Sequence, residues 1–175
     1  VDIIIRRRED ADLPALGALL ERDQPTTRYP FVWPFPGGSD AFLRRSTEVQ
    51  SWTAEVDGRP VGHASVTTVS DDPISRSWAA AHHAEISQLR CISALFADLT
   101  LAGSGIGSRL LATATEYAAA GGYPVLDVVA AHDTPVNLYL KRGWQIIGTT
   151  QAPWHPELDL DLPIHLMILP RSFGE

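Results

Sequence analysis

Three glycines crowd the stretch LTLAGSGIGSRLL, Leu99–Leu111: Gly103, Gly105 and Gly107. An apolar run precedes them and helical spacing follows. Backbone without Cβ atoms can approach a ligand closely, and amides that open a helix attract anions. A phosphate-bearing ligand is therefore the chemistry this turn suggests. A P-loop needs lysine and then Ser or Thr after its last glycine. No lysine follows here, and Lys141 is the only lysine in the chain. A dinucleotide fingerprint needs GxGxxG or GxGxxA, then an acidic residue about 20 positions on. Gly103, Gly105 and Ser108 nearly match, and Asp127 follows. Asp127 precedes Val128 and Val129, however, which puts it inside a predicted strand rather than at its carboxyl end. A dinucleotide site and a tight turn that binds nothing stay open beside a third kind of phosphate ligand.

The elements that must carry this turn can be read from pattern. Ile3–Ile5 is a short strand. Asp12 is a candidate cap for a helix with Leu13, Leu16, Leu19 and Leu20 at helical spacing, fading near Asp23. Gln24–Asp40 holds four prolines and two glycines and is expected to be irregular. Tyr29, Phe31, Trp33 and Phe35 lie within it, either folded onto the core or lining a pocket. Ala41–Arg45 suggests a short helix. Ser51–Val56 and Val61–Val69 read as strands joined at Asp57 and Gly58, an antiparallel hairpin. Ile74–Gln88 suggests a helix, and Cys91–Leu99 a central strand. The glycine turn leads to a helix over Ser108–Ala120, then a strand over Tyr123–Ala131. Asp133 or Thr134 is expected to cap a helix that begins at Pro135 and ends at Gly143. Strands over Trp144–Thr150 and Pro163–Leu169 complete the chain. A hairpin start followed by crossover helices predicts an α/β chain with a mixed sheet.

Composition narrows the function classes. The 175 residues suit one domain, 1–175, with 45% hydrophobic and 20% charged residues. The net charge of −7 argues against a nucleic-acid binder and mildly favours a cationic substrate. No apolar run reaches the roughly 18 residues of a membrane span, so no membrane partner is expected. The first residues lack a signal peptide's apolar segment, and the single cysteine, Cys91, leaves no internal disulfide. A cytoplasmic setting is the expectation. The six histidines show no HxxxH or HExxH spacing, so no metal is expected.

The order strand, AGSGIG, then a helix opening SRLL resembles motif A of the GCN5-related N-acetyltransferase (GNAT) superfamily. That pattern runs Arg or Gln, two residues, Gly, one residue, then Gly or Ala. It maps onto Ala102, Gly103, Ser104, Gly105, Ile106 and Gly107, with Ala102 replacing the usual Arg or Gln. VNLYLKRGW, Val136–Trp144, resembles motif B, where Tyr precedes Gly-Phe by four residues. Tyr139, Gly143 and Trp144 occupy those places, and His132 stands where the family often has Asn. The N-terminal IIIRRREDADLPALGALL is similar to the family's opening strand and helix.

The resemblance implies a six- to seven-stranded, largely antiparallel sheet with helices on both faces and splayed central strands. It implies acetyl-CoA as co-substrate, with pyrophosphate over Gly103, Ser104, Gly105, Ile106, Gly107 and Ser108. The pantetheine arm would pair like an added strand with Leu95, Phe96 and Ala97, and His132 would also face the cofactor. Arg109 is a candidate to replace the missing Arg or Gln. The reaction implied is acetyl transfer to a primary amine by direct attack on the thioester, with Tyr139 as general acid to the departing thiolate. The predicted central strand carries no carboxylate over Cys91–Ala97, so Glu85, His82, His83, Asp98, His132 or a water chain are the candidates for base. Tyr29, Phe31 and Trp33 are candidates to hold the acceptor through stacking or cation–π contact. Glu157, Asp159 and Asp161 could attract a cationic one. A small-molecule acceptor is favoured over a protein. Family members often dimerise, which adds a homodimer to the candidate assemblies. The alternative is a GNAT-like module that binds coenzyme A as a sensor without catalysis.

Overall fold

A computed structural model describes residues 1–171. Seven strands, β1 (Ile4–Arg7), β2 (Glu48–Val56), β3 (Arg59–Thr67), β4 (Leu89–Ala97), β5 (Tyr123–Val129), β6 (Gln145–Gln151) and β7 (Pro163–Ile168), form a sheet in the order β1-β2-β3-β4-β5-β7-β6. Only β4 with β5 is a parallel pair among the registers described. That ladder covers just Leu89–Cys91 against Tyr123–Val125. The expected mixed, largely antiparallel architecture is thus realised with seven strands. No helix among the described residues is long and apolar enough to cross a membrane.

The chain divides into two compact units. The first comprises Val1–Thr67 and Ile92–Tyr117. Its hairpin turns at Asp57 and Gly58, both left-handed (φ 50° and 74°), the twist a two-residue loop requires. α1 (Leu13–Thr27) and α2 (Gly38–Leu43) bury Leu13, Leu16, Leu20, Phe42 and Leu43 in one cluster with Ala94. Each such leucine contributes roughly 1.5–3 kcal/mol by leaving water. Gly62 on β3 admits the first turns of α4 (Ile106–Gly121). A Cβ there would stand 2.9 Å from Leu110 Cδ1 and 3.0 Å from the Phe96 carbonyl.

The second unit comprises Thr68–Cys91 and the chain from Ala118 onward. α3 (Pro73–His82) contacts β7, and Trp78, Val125, Leu126, Ile164 and Met167 are buried there. α5 (Asp133–Lys141) precedes β6.

Several local expectations are corrected. α1 does not fade at Asp23 but runs through Pro25 to Thr27. Proline there removes one bond in a last turn that Arg28 N to Gln24 O (2.7 Å) and Thr27 Oγ1 to Asp23 O (3.1 Å) hold closed. Asp12 does not cap α1 with its side chain. It accepts instead from Arg6 (2.7 and 2.8 Å), Glu9 N (2.8 Å) and Thr53 Oγ1 (2.9 Å). Ile74–Gln88 is not one helix. α3, capped by Asp72 through Ser75 N (2.8 Å), stops where His83 turns left-handed (φ 53°), and a short 3-10 turn covers Ile86–Gln88. α5 begins at Asp133 with His132 as its cap residue, so Pro135 sits third rather than first. Proline fits there because first-turn amides need no helical acceptor.

Candidate functional site

In the first unit the glycine turn leaves β4 through a tied-down corner. Asp98 accepts from Thr100 N (2.8 Å) and Thr100 Oγ1 (2.6 Å), closing the turn Leu99–Leu101. Arg22 on α1 bonds both Asp98 (2.6 Å) and Asp23 (2.7 Å), while Asp23 accepts from Leu99 N (2.9 Å). Burial alone would raise the Asp98 pKa, but the bonds from Thr100 and Arg22 leave it lowered on balance. Asp98 is therefore a structural anion, not a ready base.

Gly103 and Gly105 adopt φ 85° and 90°, and nothing lies within 4 Å of the space a Cβ would take at either. Their backbone is thus both left-handed and open. Ser104 closes the turn through Oγ to Leu101 O (2.6 Å). The first helical bond of α4 is Arg109 N to Gly105 O (3.0 Å), so the amides of Ile106, Gly107 and Ser108 have no acceptor within the helix. The Ile106 side chain is buried beneath them, which pins this end of α4. Arg109 does not serve the turn: its Nη1 donates to Ile3 O (2.6 Å). The sequence offered it as a replacement for the missing Arg or Gln, and its side chain is instead committed to Ile3, the residue ahead of β1.

Leu95, Phe96 and Ala97 are half-buried at the end of β4. Just before them Ala94 takes a left-handed φ of 48°, sparsely allowed for a residue with Cβ. His63 on β3 lies beneath it, fully buried, with Nδ1 2.8 Å from Ala94 O and Nε2 3.1 Å from Arg8 Nη1. Arginine can only donate, so Nε2 accepts and the proton sits on Nδ1. Burial, first of all, pushes the His63 pKa down to about 4, with Arg8 and Arg45 adding to the effect. Arg8 completes its own bonds with Leu43 O (2.6 Å) and Glu48 Oε2 (3.0 Å). Sequence reasoning missed this cluster. The available signal was a lone histidine in an otherwise apolar and small-residue strand.

The aromatic segment divides its residues. Tyr29 packs edge-on against Phe42 (5.5 Å) and against Phe96 (6.4 Å), so it belongs to the core wall. Trp33 lines an open cleft of about 410 Å³ with Pro14, Gly17, Glu21, Phe35 and Asp40. Phe31 is half-buried.

In the second unit Tyr139 and Val136 occupy the buried face of α5. His132, the residue ahead of α5, is half-buried. Burial lowers the His132 pKa, which keeps it neutral near pH 7. The spacing of Tyr139, Gly143 and Trp144 has a clear local cause. Trp144 N donates to Tyr139 O (3.1 Å) and Gly143 N to Leu140 O (3.2 Å), with Gly143 left-handed at φ 90°. These paired bonds end the helix and bring Trp144, itself buried, within 6.2 Å of the Tyr139 ring. His82 bonds Pro124 O through Nε2 (2.9 Å), and Glu85 forms a capping box with Gln88, so both are structurally engaged. His83 ends α3. Glu157 is exposed beside His155 (3.2 Å), with Asp159 left-handed and Asp161 exposed nearby. Among the described residues no group of His, Cys, Asp and Glu is clustered to hold a metal ion.

The fold is that of N-acetyltransferases. The chain aligns with an N-acetyltransferase from Staphylococcus aureus Mu50 at a TM-score of 0.72 and 20% identity, over 97% of this chain and 99% of that one. The ribosomal-protein-S18-alanine N-acetyltransferase from Escherichia coli gives 0.68 and 17%, over 99% and 97%. Arabidopsis thaliana NAA60, in complex with acetyl-CoA, gives 0.69 and 17%, over 95% and 98%. A search of curated protein sequences finds no match. The model of the acetyltransferase (GNAT) family matches residues 17–144, and the chain belongs to that family. It is accordingly an acyltransferase.

Proposed function

We propose that residues 1–175 form one cytoplasmic acetyltransferase domain that moves acetyl from acetyl-CoA to a primary amine on a small, cationic acceptor. The observation that carries this reading is the turn before α4. Gly103 and Gly105 are left-handed with open space above them, and the helix amides that follow lack internal acceptors. That arrangement fits a pyrophosphate better than any side-chain site would, because it offers several fixed N–H donors and a helix dipole. Gly103, Ser104, Gly105, Ile106, Gly107 and Ser108 would hold the pyrophosphate. Leu95, Phe96 and Ala97 would pair with the pantetheine amides, and His132 would face the same co-substrate.

In the reaction a neutral amine attacks the thioester carbonyl, the C–S bond breaks, and Tyr139 protonates the departing sulfur. The amine's surplus proton leaves to a base or water. His132, half-buried just ahead of α5 and with its pKa lowered by burial, is suited to take it. Trp33, with Glu21 and Asp40 around its cleft, supports a cationic acceptor through cation–π and charge attraction. Phe35 supplies the second ring of that cleft, whereas Tyr29, expected beside Trp33, packs on Phe42 and Phe96, and Phe31 is not among the cleft's lining residues.

Calorimetric titration with acetyl-CoA tests the reading, and no binding at high micromolar concentration would end it. Tyr139→Phe is expected to lower turnover about 100-fold while leaving acetyl-CoA affinity within a factor of two. A panel of amines with free-thiol detection supplies the turnover. Coenzyme A binding without amine-dependent thiol release would favour the non-catalytic sensor instead.

A further inference from the structure

We propose that His63 is a positioning residue for the acyl-bearing arm of the co-substrate: with Ser65 it latches the left-handed bulge at Ala94 and so aims the backbone of Leu95–Ala97. The inference rests on the acetyl-CoA reading above and names a residue that the reading did not include.

Successive carbonyls of a regular strand point to opposite sides. Here two consecutive carbonyls of β4 are both met by side chains of β3. Ser65 Oγ donates to Ser93 O (3.1 Å) and His63 Nδ1 donates to Ala94 O (2.8 Å). Ala94 can present its carbonyl this way because its φ is 48°. That conformation is disfavoured for a residue with a Cβ, so something must hold it. His63 and Ser65 are two residues apart on β3 and face the same way, which makes them a matched pair of donors. The imidazole is fixed on every side. Arg8 bonds its far nitrogen, and Phe96 stacks on it at 5.7 Å with 24° between planes. Phe96 is itself one of the residues that would pair with the arm. One ring therefore sets both the bulge and the side chain that follows it. Nothing in this arrangement places His63 on the reacting atoms, since it is fully buried.

Three proteins test the proposal: the natural chain, His63→Phe and His63→Asn. Phenylalanine keeps a ring over Phe96 and removes the donor. Asparagine places an N–H donor where Nδ1 stands and leaves Arg8 its bonds to Leu43 O and Glu48. Two measurements apply, acetyl-CoA affinity and amide hydrogen exchange. His63→Phe is expected to weaken acetyl-CoA binding about tenfold and to speed exchange at Leu95–Ala97 while Glu48–Val56 keeps its protection. His63→Asn is expected to recover most of both. Unchanged affinity and exchange in His63→Phe would overturn the proposal. So would equal loss of protection across β2 and β4, or His63→Asn behaving no better than His63→Phe. If His63→Phe does not fold, the comparison rests on His63→Asn and Ser65→Ala, with local exchange at Leu95–Ala97 expected to rise only in Ser65→Ala. If the natural chain does not bind acetyl-CoA, the functional reading fails, and the exchange pattern alone decides whether His63 holds the bulge.

Discussion

Lowering the pH from 8 to 5 is expected to weaken the fold by about 2 kcal/mol through His63 alone. The histidine pKa is about 4 in the folded chain, against 6.5 for the free side chain. Burial is the main cause. Arg8 and Arg45 facing the ring add to it, while the Ala94 carbonyl and Asp12 partly oppose it. A folded-state pKa below the unfolded one means the unfolded chain binds the proton more readily. The stabilisation is therefore complete above pH 6.5 and drains away as the pH falls toward 4. At pH 5 the unfolded imidazole is almost fully protonated and the folded one about a tenth, which gives the figure of about 2 kcal/mol. For a chain of this size that is a fall of about 6 °C in Tm. The assay is urea unfolding of the natural chain and His63→Phe at pH 8 and pH 5. His63→Phe starts weaker at pH 8 but cannot lose this contribution, so its pH 8-to-5 drop should be smaller by about 2 kcal/mol. Other titrating groups cancel in that difference. Equal drops in the two proteins would refute a neutral, latched His63.

Three further outcomes follow from the geometry. Ala102 is exposed and precedes the glycine turn, so on the proposed reading Ala102→Arg should tighten acetyl-CoA binding by about three- to tenfold, an effect that fades with salt; calorimetry at two ionic strengths reads it. Gly122→Ala would drive a Cβ into the Gln88 carbonyl oxygen, and the backbone shift should cost about 2–4 kcal/mol in a denaturant titration, against a smaller effect at open Gly148. Asp12→Asn removes one of the two carboxylates that hold Arg6, leaving Glu55 at 2.8 Å, and weakens the bond from Thr53, with an expected loss of about 1–2 kcal/mol at pH 7. Because Arg6 holds the Asp12 pKa down to about 2, that loss should shrink as the pH falls from 4 through 2.

Much of the fold was legible because local chemistry and tertiary structure agree. Asp57–Gly58 gives a hairpin by itself, and the helix after Gly107 carries its own apolar stripe. The spacing of Tyr139, Gly143 and Trp144 was legible as a family motif, and its geometry now has a physical account in the way α5 ends. What escaped was long-range. Nothing around Arg109 says that its guanidinium reaches Ile3 O, more than a hundred residues earlier in the chain. Asp12 looked like a cap because aspartate before a leucine pattern usually is one, but Arg6 and Thr53 compete for the same oxygens. Ala94 was invisible for a different reason. An alanine in an apolar strand signals extended backbone, and only the donors on β3 make the left-handed turn affordable. The aromatic segment was ambiguous in sequence because it serves both purposes, Tyr29 facing the core and Trp33 a cleft.

Arg22 and Asp23 lie near the end of α1, and both grip the corner that leads to the glycine turn, through Asp98 and Leu99 N. The same helix ends at Arg28, where the aromatic segment begins. One helix thus braces the glycine turn at one side and releases the aromatic segment at its end, the two regions proposed above for pyrophosphate and acceptor. If acetyl-CoA and acceptor bind as proposed, any coupling between them has a single value read from either side. Whatever factor an acceptor analogue imposes on acetyl-CoA affinity, acetyl-CoA must impose on the analogue. A thermodynamic box of four titrations would therefore have to close, and Arg22→Ala, which removes the bond from α1 to Asp98, should shrink that common factor toward one.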